Sequence, residues 1–163
     1  MERHCQRQLA IAERLAGGRA FDRELLLCAG WLHDTGLYIP SHDPYVTKGT
    51  RLADRVLAPF GWPRGRLQRC MDACEQHHAP RSRMAMGLEA ELVRQADLVD
   101  VTAGIVNFGL DRRWLRALFG DVSRDGFWRL PGGAVPGELR HRPASLTEVF
   151  VSPVTREPEP GSS

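Results

Sequence analysis

His33 and Asp34 are adjacent, followed by Thr35-Gly36, and stand at the end of a run that includes Leu25, Leu26, Leu27, Ala29 and Leu32. An imidazole and a carboxylate among such neighbours lose solvation, several kcal/mol for an unpartnered carboxylate, unless a metal, a proton partner or a salt bridge compensates them. Comparable groups recur at otherwise apolar helical positions: His4, the His77-His78 pair, and Asp97, with Asp100 one turn further on. His4 precedes Ile11 and Leu15 by seven and eleven residues and shares their helical face. Asp97 lies midway between Val93 and Val101 on an apolar stripe, where no capping role explains it. Imidazole nitrogens and carboxylate oxygens from several helices suit a divalent ion (Mn, Fe, Co, Ni or Zn) with positions open to water. Water on such an ion becomes a nucleophile near neutral pH.

These groups must be positioned by helices, because no stretch shows sustained strand alternation. A first amphipathic helix spans residues 2–16 and stops at Gly17-Gly18. Asp22 caps a second, which runs to about His33 and is ended by Gly36, and the proline-containing stretch 37–44 is a loop. A third runs from Val46 to Phe60, and Pro63 opens a fourth that ends near His77-His78. The fifth extends from Gly87 to about Phe108, and Asp111 caps a sixth carrying Trp114, Leu115, Leu118 and Phe119. Residues 131–143 read as loop, and Ser145-Leu146-Thr147-Glu148 has the capping-box pattern of a last short helix. The expected organisation is an all-α domain over 1–150 with a flexible tail over 151–163.

Composition narrows the partners. A net charge of +2, from 22 basic and 20 acidic residues, provides no field that would steer the chain to nucleic acid. No apolar run approaches the roughly 20 residues that span a bilayer, and the first residues lack the hydrophobic stretch of a signal peptide. The expectation is a cytoplasmic protein acting on a small molecule, with no nucleic-acid or membrane partner. The four cysteines fall in helical patterns, which favours packed, reduced thiols. Cys70, Cys74, His77 and His78 do not make one zinc site, because residues 70 and 78 of a helix are about 12 Å apart.

The segments Cys28-Ala29-Gly30-Trp31-Leu32-His33-Asp34-Thr35-Gly36, Glu75-Gln76-His77-His78 and Ala96-Asp97-Leu98-Val99-Asp100 together resemble the HD-domain superfamily of metal-dependent phosphohydrolases, over roughly residues 4–108. In that family a histidine, a His-Asp doublet, further histidines and a distant aspartate stand on successive helices. The resemblance implies an HD-type helical bundle with metal ligation by His4, His33, Asp34 and Asp97. It places His77 or His78 by the open coordination positions, with His77 the preferred acid or base. Two-metal members carry another histidine shortly before the glycine of the third helix. Tyr45 stands about there, ahead of Gly49, which favours one metal, although His42 could serve a second.

Lys48 and Arg51 follow the doublet's loop and could hold an anionic group, as could Arg81 and Arg83 after the histidine pair. Trp114, Phe119, Phe127 and Trp128 read as core covering one end of the bundle. The leading expectation is hydrolysis of a small phosphate ester or nucleotide. The alternatives are a cyanamide hydratase-like lyase, an HD-type diiron oxygenase, and a binding or regulatory module without turnover. Basic heads turned into the site favour phosphate over a neutral substrate.

Overall fold

The computed structural model describes residues 1–40 and 42–123. Its elements are α1 (Glu2–Ala16), α2 (Arg23–Leu32), α3 (Tyr45–Leu57), α4 (Arg64–Gln76), α5 (Leu88–Val101) and α6 (Arg112–Asp121), with short 3-10 turns at Thr35–Tyr38, Ala58–Phe60 and Met84–Met86. No strand occurs among the described residues, so the architecture is all-α. The expected loop at 131–143, the capping box at 145–148, the tail at 151–163, and Phe127 and Trp128 lie outside the described residues.

Local signals account for most helix ends. Gly17 closes α1 at φ 59°, a left-handed conformation that costs glycine no β-carbon clash. The carboxylates of Asp22 and Asp111 accept the amide hydrogens of Leu25 and Trp114 and cap α2 and α6. α3 ends at Leu57, three residues before the expected Phe60, and continues as a 3-10 turn up to Gly61.

The larger difference is in α5, which stops at Val101 instead of continuing to about Phe108. The Thr102 hydroxyl donates to the Leu98 carbonyl at 2.7 Å, and the Gly104 amide reaches back to the Val99 carbonyl at 2.8 Å. Left-handed residues then follow at Ala103 (φ 54°), Gly104 (φ 75°), Phe108 (φ 48°) and Gly109 (φ 84°). Apolar spacing persists past Val101, but the backbone has already turned, because a side-chain hydroxyl and a glycine satisfy the last carbonyls of the helix.

α5 is the central helix. It packs against α1, α2 and α4, while α3 and α4 pair and α3 covers the turn after α2. Leu92, Val93, Ala96 and Val99 of α5 join Ile11 of α1, Leu25 and Ala29 of α2, Ala53 of α3 and Leu115 of α6 in one core. Trp114 and Phe119 pack on its edge. The Cys70 and Cys74 thiols lie 4.0 and 3.8 Å from the Leu25 and Ala29 carbonyls, fitting α4 against α2, and all four cysteines are free.

Two glycines let the backbone close around the doublet. A β-carbon on Gly36 would overlap the Tyr45 carbonyl oxygen and lie 2.7 Å from its carbon and 2.8 Å from the Gly49 nitrogen. A β-carbon on Gly49 would lie 3.1 Å from the His33 carbonyl oxygen. The first turns of α3 therefore sit directly on the turn that follows His33 and Asp34.

Candidate metal centre

His4 occupies the first turn of α1, His33 and Asp34 follow α2, His77 and His78 follow α4, and Asp97 lies in α5. The tertiary structure brings all six together. The His4 and His33 Nε2 atoms are 3.2 Å apart. Asp34 Oδ2 lies 3.3 Å from His33 Nε2 and 3.7 Å from His4 Nε2, and Asp97 Oδ1 lies 3.7 and 3.4 Å from the same two atoms. On the other side, Asp34 Oδ1 is 3.5 Å from His77 Nε2, and Asp97 Oδ2 is 3.6 Å from His78 Nδ1. Donor atoms of His4, His33 and Asp34 lie within 4.8 Å of one another, as do those of Asp34, His77 and His78. Each could hold a metal ion, and Asp34 belongs to both groups.

The hydrogen bonds decide which nitrogens are available. His33 Nδ1 is 2.9 Å from the Gly30 carbonyl and His77 Nδ1 is 2.6 Å from the Cys74 carbonyl. A carbonyl only accepts, so both Nδ1 atoms carry hydrogen and both neutral rings present a bare Nε2. His4 Nδ1 donates to Asp100 Oδ2 at 2.7 Å, leaving its Nε2 bare as well. With the rings neutral, three lone-pair nitrogens and two carboxylates thus converge with no hydrogen of their own to share. His77 Nε2 has no hydrogen-bond partner among the described residues. Such a donor set fits a cation, which satisfies every lone pair at once.

The electrostatics agree. Burial opposes charge on His33, yet the Asp34 carboxylate, aided by Asp97, holds its pKa well above 6.5. Burial likewise opposes ionisation of Asp97, but hydrogen bonding to His33 and the charges of His78 and His77 lower its pKa to about 2. Asp34 is lowered well below 3.8 against its burial by His33 and His77. His78 moves the other way, to about 4, through burial and then the neighbouring His77. In the absence of an ion, a proton on His33 takes the place of positive charge that the cluster demands.

Access comes from one side. His4, His33, His77 and Asp97 are buried, whereas the side chains of Asp34 and His78 are 18% and 27% exposed. The Tyr45 ring lies over this side, with its centroid 6.2 Å from that of His77 and 6.1 Å from that of His78. Arg94 steadies the turn after the histidine pair: it forks onto Glu91 (2.6 and 3.0 Å) and donates to the Ala79 carbonyl (3.4 Å). Glu91 also accepts the Arg83 amide.

The basic residues do not join the cluster. Lys48 Nζ donates to the Ile39 carbonyl at 2.7 Å, and Arg51 pairs with Asp43 at 2.6 Å with its side chain 61% exposed. The Arg83 guanidinium donates to Gln76 Oε1, and Arg81 is exposed. Sequence reasoning missed Arg7, whose guanidinium binds Asp100, and Gln8, whose Nε2 lies 3.4 Å from His33 Nε2. Their signal was present: three and four residues after His4, they continue its buried face.

An all-α bundle that gathers histidines and aspartates from several helices defines a class of helical domain with a candidate metal centre. The HD domain family matches residues 1–102, and the chain belongs to that family. Comparisons with curated proteins and with solved structures gave no match. No helix among the described residues is long and apolar enough to cross a membrane.

Proposed function

We propose that this protein is a metal-dependent hydrolase that cleaves a small phosphate ester. The observation that carries the reading is the convergence of the bare Nε2 atoms of His4, His33 and His77 on the carboxylates of Asp34 and Asp97. A divalent ion bound there lowers the pKa of a coordinated water toward neutrality and polarises a phosphoryl oxygen.

His4, His33, Asp34 and Asp97 would hold an ion. His77 and His78, with the second oxygen of Asp34, form a group that could take another, while Tyr45 in place of the extra histidine of two-metal members keeps the reading at one ion. His78 stands at the accessible rim and is neutral at pH 7 because its pKa lies at about 4. A neutral imidazole there would accept a hydrogen bond from the attacking water and orient it. Tyr45 shields the rim and limits the size of the substrate.

A second reading, hydration or oxidation of a small neutral molecule at the same centre, is favoured by one observation: the heads of Lys48 and Arg51 are engaged by Ile39 and Asp43. Metal analysis of the purified protein, followed by phosphate-ester and nitrile panels on wild type, His33→Ala and Asp34→Ala, separates the two. Metal-dependent phosphate release lost in both variants supports the first reading. A metal-free wild type under metal-replete conditions rejects both, and turnover of the neutral panel alone selects the second.

A further inference from the structure

We infer that the buried Arg7–Asp100 pair positions His4 and ties that side chain to the segment following α6. The inference rests on the metal reading above. Asp100 is fully buried, and its Oδ2 accepts the Nδ1 hydrogen of His4 at 2.7 Å. Arg7, only 1% exposed, forks onto the same carboxylate, Nε to Oδ1 at 2.7 Å and one terminal nitrogen to Oδ2 at 2.9 Å. Its other terminal nitrogen donates to the carbonyls of Ser123 at 2.8 Å and Val122 at 3.3 Å. A continuous hydrogen-bonded path therefore runs from the backbone beyond α6, through Arg7 and Asp100, to the ring of His4.

Each link has a physical consequence for the metal site. α1 begins without a side-chain cap, so its first turn, which carries His4, has no such anchor of its own. Asp100 supplies one: it orients the imidazole and keeps hydrogen on Nδ1, so that Nε2 faces His33 as a lone pair. A buried carboxylate needs a cation, and the planar guanidinium satisfies both of its oxygens while leaving donors for two carbonyls. Those carbonyls lie beyond residue 102, where the family match ends. Val122 and Ser123 thus support the metal centre through their backbone carbonyls, without themselves facing the ion.

The test is titration of the full-length protein with Mn²⁺ or Zn²⁺ in wild type, Asp100→Asn and Arg7→Lys. Arg66→Lys is the control, because Arg66 forks in the same way onto Asp22, away from the cluster. Asp100→Asn and Arg7→Lys should bind the ion about 10- to 100-fold more weakly, and the control about equally to wild type. In wild type, metal should slow hydrogen exchange of the Val122 amide, which bonds to the Leu118 carbonyl at 2.9 Å, and this slowing should vanish in Arg7→Lys. Equal affinity in both variants, or a Val122 amide indifferent to metal, overturns the inference while leaving the metal reading intact. A wild type that binds no ion overturns both. If a variant does not fold, the wild-type exchange measurement decides.

Discussion

The Nε2 atoms of His4 and His33 face each other at 3.2 Å while the Nδ1 of each ring is committed, one to the Asp100 carboxylate and the other to the Gly30 carbonyl. Two lone pairs at that distance repel unless a proton or a cation lies between them. Because Asp34 and Asp97 hold the pKa of His33 well above 6.5, a proton fills that role in the metal-free protein. Metal binding must expel it. Calorimetric titration at pH 7 in two buffers of different ionisation enthalpy should show proton release, and affinity should climb with pH until His33 is neutral. A buffer-independent enthalpy would contradict this.

The metal-free protein should be most stable near pH 6.5. A raised His33 pKa contributes stability that is fully present below 6.5 and is lost as pH rises through the folded value. On the acid side, unfolded His78 gains a proton below 6.5 while the folded side chain waits until about 4, so stability falls with pH over that interval. A further loss follows below 3.8, where the unfolded carboxylates protonate ahead of Asp97, whose folded pKa is about 2. Urea melts from pH 3 to 9 test this order, and added metal should restore the alkaline limb.

Gly36→Ala places a β-carbon onto the Tyr45 carbonyl, a backbone atom that cannot swing aside. Either α3 or the turn after the doublet must move, at about 3 kcal/mol. Thermal unfolding should report that loss together with weaker metal binding. A variant with wild-type stability would show that the close approach of Gly36 to Tyr45 is wrong.

His78→Ala should lower turnover up to about 100-fold, through loss of water orientation, while leaving the ion held by His4 and His33 in place. Arg51→Ala should leave kcat and KM unchanged, because Arg51 is exposed and engaged by Asp43. Steady-state kinetics with parallel metal analysis distinguish these outcomes. A large KM increase in Arg51→Ala would return that residue to the substrate.

Arg94→Met strands the buried Glu91 carboxylate and releases the turn after His78. Removing one member of a buried pair costs about 3–5 kcal/mol, and Arg94 and Glu91 side chains are 7% and 3% exposed. Denaturant unfolding should show the loss. Glu91→Gln, which keeps an acceptor for the Arg83 amide, should be milder.

Much of the molecule was legible in the chain because the signals are local. Asp22, Gly17, Pro63 and Asp111 each mark a helix boundary through their own backbone or side-chain chemistry, and the structure places helix ends beside them. The candidate donors stood out because charge at apolar positions needs a compensating partner. The end of α5 was not legible: Val101 to Phe108 keeps helical spacing, and only the Thr102 hydroxyl and the left-handed residues after it stop the helix.

By itself the sequence determined an all-α fold and singled out His4, His33, Asp34, His77, His78 and Asp97 as polar groups at apolar positions, though not the equally buried Arg7 and Gln8. Periodicity and caps depend on neighbours within a few positions, so one dimension suffices for them. The tertiary structure decided how these groups meet: that Asp34 turns one oxygen to His33 and the other to His77, that His78 and not His77 reaches the rim, that Lys48 and Arg51 find other partners, and that Arg7 joins Asp100 to the backbone at 122–123. Those relations depend on helix packing distances and side-chain directions between residues up to 116 positions apart, which no local pattern encodes.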